Sequence, residues 1–499
     1  MQMDMSVELG KIVPELWLAM LVLILIPMST FLPGGHKQPV TWFAIGGLAT
    51  SLIPSAIYLG QPTRAAFGGT YLVDPFAIFL KLLCVVASMV VLLISLEHFR
   101  GWRAEGEISA MVVLATLGME LLAGSTNLIL IALSLQIITV ASYILVGMLK
   151  EEPRSGEAAL KFFLFAATAG AVMLYGMSFI YGLTGSLSLI DIAQKLPGAN
   201  LALVVLGLTL LLAGYGYEIT IFPFHAWVPD TYQGAATPIA AFLSVGPKAA
   251  GLAVLVRTLL VAFPHELSAW PEVVAVSAAV TMTFGNIVAL RQHDLKRLLA
   301  YSSIAQAGYL LMGVASAGRD PLGISGLLFY LVAYLFMNLG AFAVVTAIEQ
   351  EKHSVELTAY QGLAREKPFL ALSLTLFLLS LAGIPPLGGF IGKTILFGAA
   401  LAANFWWLML IAAINTAISL YYYAKVLAPM YLQPPAKSSQ INRELAERTN
   451  RLDAEPELLV SGVVSPILLA TIGLVEIVTL LIGVFPELVL NMLRLAKQL

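Results

Sequence analysis

Four ionisable side chains lie in the apolar stretch from Gly214 to Gly251, where they could bind and release protons: Glu218, His225, Asp230 and Lys248. An ionisable residue inside the membrane costs roughly 2.5–3.5 kcal/mol on insertion scales, so it indicates a function. The stretch also contains four prolines, each of which disturbs the preceding helical turn. Irregular backbone at membrane depth is tolerated only inside protein or beside a water-filled cavity. The stretch therefore predicts an interrupted helix with a pathway for charge.

A second interruption is predicted later, where Lys393 follows Pro385 and Pro386 in an apolar run. Lys248 and Lys393 are too deep in their segments for the amine to reach the membrane surface easily, and we interpret both as proton carriers. Glu218 precedes Pro223 by five residues, so its turn loses backbone hydrogen bonds and can admit water. We interpret Glu218 as a third proton carrier.

Other charges leave two interpretations open. Glu157 and Lys161 are four residues apart in the order that favours a helical ion pair. They either stabilise a helix near the interface or modulate a pathway lysine. His225 is either a packed core histidine or a proton relay, because imidazole titrates near neutrality. Glu120 is either interfacial or an acid inside the membrane.

Two charges near Pro75 are expected to be structural. Asp74 directly precedes this proline at the start of a predicted helix, which favours a helix cap. Lys81 is expected at the membrane interface.

Composition places the chain among membrane proteins. Of its 499 residues 59% are hydrophobic and 11% are charged, and the mean hydropathy is +0.89. A soluble protein carries about 25% charged residues. The net charge of −2 and the absence of a basic cluster predict no nucleic-acid partner. Cys84 is the only cysteine, and no phosphate loop, zinc spacing, flavin fingerprint or iron–sulfur ligand set occurs, so we expect no cofactor and no metal in this chain.

Apolar runs predict an all-α polytopic membrane protein with about fourteen transmembrane helices. The short fourth run is the least secure of them. The predicted spans are 12–32, 40–60, 73–96, 108–123, 127–149, 156–183, 200–227, 236–262, 271–291, 295–317, 322–349, 368–401, 404–432 and 464–486.

Loop charges predict the orientation. With alternating crossings, one side receives most of the basic residues, and the positive-inside rule makes that side cytoplasmic, with both termini outside. The residues on it are Lys37, Arg100, Arg103, Lys150, Arg154, Arg291, Lys296, Arg297, Lys352, Arg365, Lys367, Lys437, Arg443, Arg448 and Arg451. The polar segment 433–457 becomes a cytoplasmic connection, either helical along the membrane surface or a solvated linker.

The two interruptions fall at the same ordinal position of two five-helix units, in the seventh and the twelfth span. Paired interrupted helices in corresponding halves are typical of transporters built from inverted repeats. This predicts three N-terminal helices over 1–107, one repeat over 108–262, a second over 271–432, and a last helix within 433–499.

Three segments carry a resemblance to a known family: FPFHAWVPDTYQGAATPIAAFLSVGPKAAG, LKRLLAYSSIAQAGYLLMG and LAGIPPLGGFIGK. They resemble the antiporter-like membrane subunits of complex I, the proton-pumping NADH:quinone oxidoreductase, and most of all the subunit N (chain 2) type. The resemblance runs from about residue 74 to 431. It implies a fourteen-helix fold with two inverted repeats in a bacterial inner membrane. It also implies membrane-subunit partners and a peripheral NADH-oxidising arm with FMN and iron–sulfur clusters, with quinone bound elsewhere.

The resemblance also implies a proton route over a fifth-helix acid and lysines of the seventh, eighth and twelfth helices. Lys248 and Lys393 match the last two, and Lys161 with Glu157 matches the family's sixth-helix lysine and its neighbour. The fifth-helix acid and the seventh-helix lysine are not matched. Gln136 occupies the position of the acid, and Glu218 occupies the position of the lysine. Many members of the family have a histidine in the tenth helix, and this chain has Gln306 at that position. A buried carboxyl without a cation favours its protonated form, so Glu218 could itself hold the proton.

Three classes of function follow. The leading one is a proton-translocating subunit of a respiratory NADH:quinone oxidoreductase, with no redox centre in this chain. The alternative is a subunit of a multi-subunit cation/proton antiporter. The third is a passive helix bundle, which the retained lysines at 248 and 393 count against.

Overall fold

The computed structural model describes residues 5–32, 37–263, 269–435 and 464–496. Long helices dominate them, because apolar runs in a membrane must satisfy every backbone group internally. In chain order the helices are α1 (Met5–Lys11), α2 (Val13–Phe31), α3 (Gln38–Tyr58), α4 (Pro75–His98), α5 (Glu105–Gly124), α6 (Leu128–Val146), α7 (Pro153–Thr184), α8 (Leu189–Lys195), α9 (Leu201–Ile219), α10 (Val228–Gly234), α11 (Thr237–Arg257), α12 (Trp270–Ala289), α13 (Leu295–Ala317), α14 (Leu322–Lys352), α15 (Leu363–Glu366), α16 (Pro368–Ala382), α17 (Gly388–Ala402), α18 (Trp406–Leu432), α19 (Pro466–Val484) and α20 (Glu487–Ala496).

In this described part of the chain, 13 helices are long and apolar enough to cross a membrane. α16 and α17 are shorter apolar helices of 15 residues each. Counted together as one interrupted span, they complete the fourteen that the sequence predicts. The uncertain fourth span is a full-length helix of 20 residues, about 30 Å at 1.5 Å per residue.

A small hairpin was not predicted. Strand β1 (Arg64–Ala66) pairs antiparallel with β2 (Tyr71–Val73), and a short 3₁₀ turn over Phe67–Gly69 connects them. Strands of three residues leave too little alternation for a sequence pattern to detect. The hairpin packs over one end of α4 and α5.

Both interruptions occur where the prolines predict them. α9 ends at Ile219, and Thr220 turns the chain away in the left-handed region with φ 71°. α16 ends at Ala382, and Gly383 does the same with φ 87°. Pro247, in contrast, lies inside α11 without ending it.

Three helices form the centre of the bundle. The spanning segment of α11 is 100% buried, that of α13 is 94% and that of α14 is 89% buried, whereas the segment of α7 is 28% buried. Apolar side chains such as Leu160 and Leu164 face outward from α7, as lipid or a partner requires. The central helices are therefore the ones that shield ionisable groups from lipid.

A buried ion pair joins the N-terminal helices to this centre. Arg257, the last residue of α11, donates to both carboxylate oxygens of Asp74 at 2.7 and 3.0 Å. Asp74 also accepts from the backbone N–H of Ala77 at 2.7 Å, so the predicted helix cap is confirmed. The expected interfacial position of Lys81 is wrong. This lysine is 1% exposed and forms an ion pair with Glu15 of α2, because α3, α5 and α11 pack on α4 and exclude solvent from it.

The prediction for segment 433–457 falls almost wholly outside the described residues, which stop at 435 and resume at 464. The division into domains and repeats stays a prediction.

We expect Arg257→Met to destabilise the protein by about 3–5 kcal/mol, because it leaves the Asp74 carboxylate buried and unpaired. Adding Asp74→Asn should restore part of the loss, since asparagine keeps the helix cap and removes the charge. The midpoint of heat denaturation of the purified protein measures both effects. Arg100→Met is the control, because its pair with Glu97 is exposed and worth about 0–1 kcal/mol. Equal midpoints for Arg257→Met and this control would contradict the prediction.

Candidate functional site

Lys248 lies at the centre of the bundle, midway along α11, and is 0% exposed. Its ammonium donates to the hydroxyl and to the backbone carbonyl of Ser303 on α13, at 2.6 and 2.7 Å. The Tyr334 ring of α14 lies 5.6 Å from the same nitrogen, and the Tyr334 hydroxyl donates to the Ser303 hydroxyl at 2.9 Å. All three acceptors are neutral, so among the described residues no carboxylate pairs with Lys248.

Lys393 lies in α17, and its side chain reaches back to the interruption at the end of α16. Its ammonium donates to the carbonyls of Leu381 and Ala382 at 2.9 and 3.1 Å, which are freed because α16 ends there. The ring of Tyr309 on α13 lies 4.5 Å from the nitrogen, where its face attracts a cation. The negative end of the α16 dipole also favours a positive charge at this place.

A line of polar groups on α13 connects the two lysines. Ser303, Gln306 and Tyr309 are spaced by three residues and share one face of the helix. Gln306 donates to the Leu381 carbonyl at 3.2 Å, the same oxygen that Lys393 contacts, and accepts from the Tyr330 hydroxyl of α14. From Lys248 to Lys393, polar side chains therefore follow one another with gaps of a single helical turn.

A second set of contacts leads from Lys248 toward one end of the bundle, between α11 and α14. One turn before Lys248, Ser244 accepts a hydrogen bond from Asn338 at 2.5 Å. At the start of α11, the Thr237 hydroxyl donates to the carboxylate of Glu349. These pairs form successive polar steps along two antiparallel helices.

The steps end at a polar cavity of about 560 Å³. Among its lining side chains are His98, Lys296 and Glu349, and Lys296 lies 3.7 Å from the Glu349 carboxylate. The predicted orientation places this end of the bundle in the cytoplasm, because α11 and α13 begin here and α14 ends here.

Lys161 and Glu157 lie at the rim of that end rather than beside Lys248. Their side chains are 39% and 64% exposed, and their expected ion pair spans 2.6 Å. Lys161 also contacts Asp230 of α10 at 2.7 Å, and Asp230 accepts from Arg297 of α13 at 2.9 Å. The three charged groups tie α7, α10 and α13 together. Whether Lys161 and Glu157 only stabilise this end of α7 or also modulate a pathway lysine stays a prediction.

Glu218 is 7% exposed and lies one residue before the end of α9. A Cβ added at Gly251 of α11 would come within 3.2 Å of the Glu218 side chain, so this glycine lets the two helices meet closely. Gly251 is one turn beyond Lys248. Within the described chain the Glu218 carboxyl has no hydrogen-bond or ion-pair partner.

His225 and Gln136 are not in contact with the lysines. The imidazole of His225 stacks on Phe222, with ring centres 5.3 Å apart, and meets Phe284 at 4.5 Å. Its Nδ1 is buried and lacks a partner among the described residues. Gln136 of α6 is exposed and points at Gly170 of α7. Both interpretations of His225 remain open.

Three residues beside the polar line between Lys248 and Lys393 are not among those predicted from the sequence: Ser303, Tyr330 and Tyr334. A signal for Ser303 was present, because polar residues recur every third position of α13, an otherwise apolar helix. Single tyrosines in α14 carry no such signal, since a tyrosine in an apolar helix is usually part of the core.

Fold and site together define a multi-pass helical membrane protein with lysines held in its interior. The model of the family described as NADH:quinone oxidoreductase/Mrp antiporter matches residues 125–419, more than half of the chain. NADH-quinone oxidoreductase subunit N of Trichlorobacter lovleyi is 40% identical over 438 residues, which cover 87% of this chain and 89% of that protein. NAD(P)H-quinone oxidoreductase subunit 2 of a Synechococcus species is 39% identical, covering 94% and 88%.

Solved structures agree with these relatives. A chain of respiratory complex I from Thermus thermophilus superposes with a TM-score of 0.78 at 32% identity, covering 96% of this chain and 98% of that one. A chain of the Mrp complex from a Dietzia species reaches 0.84 at 20% identity, covering 97% and 96%, which shows a shared fold. The chain belongs to the family of membrane subunits of NADH-quinone oxidoreductase known as subunit N or subunit 2.

Gly389→Ala tests whether the interruption positions Lys393. A Cβ at Gly389 would lie 1.9 Å from the Ser380 carbonyl oxygen, so we expect α17 to move away from α16 at a cost of about 1–3 kcal/mol. Lys393 then loses its carbonyl partners. The denaturation midpoint of the purified protein should fall.

The matched control is Gly398→Ala on the same helix, where the added carbon meets only Leu322 at 3.9 Å. Alanine favours a helix over glycine by about 1 kcal/mol, so this variant should keep or raise the midpoint. A denaturation midpoint of Gly389→Ala at or above that of Gly398→Ala would contradict the assignment of Gly389 as the close contact that holds Lys393 at the end of α16.

Proposed function

We propose that this subunit carries protons across the membrane through Lys248 and Lys393, as part of a complex that transfers electrons from NADH to quinone. The observation that carries the proposal is the polar line on α13 between two deeply buried lysines. Burying an ion costs several kcal/mol, so two permanently charged lysines would be expensive in a purely structural bundle. We attribute their presence in the bundle to function, because a lysine that exchanges a proton must lie on the proton pathway.

In the proposed route, protons enter from the polar cavity lined by Lys296 and Glu349 and pass the Ser244–Asn338 step to reach Lys248. From Lys248 the protons pass Ser303 and then the next turn of α13, which carries Gln306, to reach Lys393. The amide of Gln306 orients its neighbours by hydrogen bonds rather than carrying the proton itself, since it does not titrate. Passing one proton from lysine to lysine keeps the number of buried charges constant.

Electron transfer belongs to partners in this proposal. A peripheral arm with FMN and iron–sulfur clusters oxidises NADH, quinone binds elsewhere in the complex, and this chain contacts other membrane subunits and lipid. The location is a bacterial inner membrane with both termini on the outer side. In the proposed repeats, α5–α11 and α12–α18 each contain one interruption.

The first prediction of this route is that Lys393→Ala lowers proton translocation while the complex still assembles. Lys393→Arg should also impair it, because arginine keeps the charge but does not readily release a proton. Proton uptake driven by quinone reduction in inverted vesicles measures both. Lys367→Ala serves as the control, since that lysine forms a half-exposed pair with Glu351 at the N-terminal end of α16. Unchanged uptake with Lys393→Ala would sink the proposed route.

A second prediction concerns Glu218, which we propose as a proton carrier beside α11. Glu218→Gln keeps the shape and removes the titratable group, so the rate of translocation should fall, with assembly preserved because no polar partner is lost. The same vesicle assay measures it, and Glu272→Gln is the control, since that carboxylate is 47% exposed. If rate and stoichiometry both survive Glu218→Gln, Glu218 is only a tolerated carboxyl.

A further inference from the structure

A second group of buried ionisable side chains lies outside the Lys248–Lys393 route, where α2, α4 and α5 meet. It consists of Glu15, Lys81 and Glu120, which are 2%, 1% and 0% exposed. Lys81 forms an ion pair with Glu15, and the Tyr71 hydroxyl of β2 donates to the same carboxylate. That hydroxyl also lies 3.0 Å from the backbone oxygen of Glu120, so one tyrosine contacts both acidic residues.

Glu120 is the unusual member. Both of its carboxyl oxygens are buried and have no hydrogen-bond partner among the described residues, and one oxygen of Glu15 is in the same condition. Glu120 lies within electrostatic reach of Glu15 and Lys81. A structural carboxylate would be expected to have its oxygens satisfied, because an unpaired buried charge is among the most costly features of a protein interior.

The buried charges of this region balance only if one carboxyl is protonated. The neighbouring Asp74–Arg257 pair is neutral by itself, and so is the Glu15–Lys81 pair. Glu120 is the third carboxyl near only two cations. It must therefore hold a proton for the region to be neutral. If the proton leaves, Lys81 is the cation that acts electrostatically on both the Glu15 and the Glu120 carboxylate.

The surroundings contain few other groups that could titrate. The titratable and charged side chains facing Glu120 from the elements packed on α5 are Glu15 of α2, Tyr71 of β2, Asp74, Lys81 and Cys84 of α4, and Arg257 of α11.

A cavity lies near the C-terminal end of α5. Glu120 lies four residues before the end of α5, about 6 Å along the helix axis. The ring of Tyr71 lines a cavity of about 420 Å³ on that side, together with Thr70 and Asn127 and apolar residues. Tyr71 thus separates the acidic group from an open cavity, with its hydroxyl on the inner side.

We propose that Glu120, Glu15 and Lys81 form a proton-holding site with one exchangeable proton, which opens to this cavity past Tyr71. The site binds a proton on the carboxyl of Glu120 and returns it without any other bond changing. The inference rests on the proposed function, since the proton comes from or goes to a translocation pathway. The predicted orientation places the cavity on the outer side, so the site would serve release.

Infrared difference spectra and proton translocation of the intact complex in liposomes test the proposal. We expect the wild-type complex to show the C=O band of a protonated, buried carboxyl during turnover, with a shift in D₂O. Glu120→Gln should abolish this band and reduce proton translocation per quinone reduced. Glu487→Gln is the control, since it makes the same change at a carboxylate that is 70% exposed and pairs only with the equally exposed Arg494, and it should leave both unchanged.

Lys81→Met is the second variant. Without the lysine, an ionised carboxylate has no compensating charge, so the proton should stay bound, and the band should persist without changing during turnover. Wild-type translocation and an unchanged band in Glu120→Gln would overturn the proposal. So would failure of both Glu120→Gln and Glu120→Met to assemble, because a neutral side chain should replace a protonated acid in the fold.

Lys393→Ala, run in parallel, separates the two proposals. Loss of translocation in Lys393→Ala with none in Glu120→Gln would refute the site in α5 alone. No loss in Lys393→Ala would refute the lysine route itself.

Discussion

The cost of leaving a polar group unpaired inside a membrane governs this structure. At the end of α16 the chain frees carbonyl oxygens that a continuous helix would have used. Lys393 donates to two of them, at 2.9 and 3.1 Å, and Gln306 shares one. The interruption and the buried lysine therefore satisfy each other. Without the lysine the Ala382 carbonyl would lose its donor and the Leu381 carbonyl would keep only Gln306, and without the interruption the ammonium would lose both acceptors.

The same constraint explains why the central helices carry the polar line. The spanning segments of α11, α13 and α14 are buried nearly throughout, so these helices can hold hydroxyl, amide and ammonium groups away from lipid along most of their length. Ser303 finds its partners on the neighbouring central helices, Lys248 on α11 and Tyr334 on α14, whereas Tyr309 hydrogen-bonds to α18. Helices at the edge, such as α7, keep their charges near the ends of the bundle, where Lys161 and Glu157 are part-exposed.

Much of the fold could be predicted, because apolar length and proline position are local properties. The fourteen spans, both interruptions and the deep position of Lys248 and Lys393 follow from such signals. What could not be predicted depends on contacts between distant segments. Lys81 gives no sign in sequence that Glu15, 66 positions earlier, covers it. The hairpin and the ion pair of Arg257 with Asp74 could not be predicted for the same reason, since the sequence distance between the partners gives no indication that they meet.

The two interruptions differ in the ionisable group that lies beside each helix end. Both α9 and α16 end at a left-handed residue, and the negative end of a helix dipole favours a cation there. α16 has Lys393 in that position. α9 instead carries a carboxyl next to its last residue, against Gly251 of α11 and with no cation bound to it in the described chain. An anion there would meet the negative end of the helix dipole unfavourably. The proposed role of Glu218 as a proton carrier therefore requires a neutral, protonated carboxyl at this interruption, where the other has an amine.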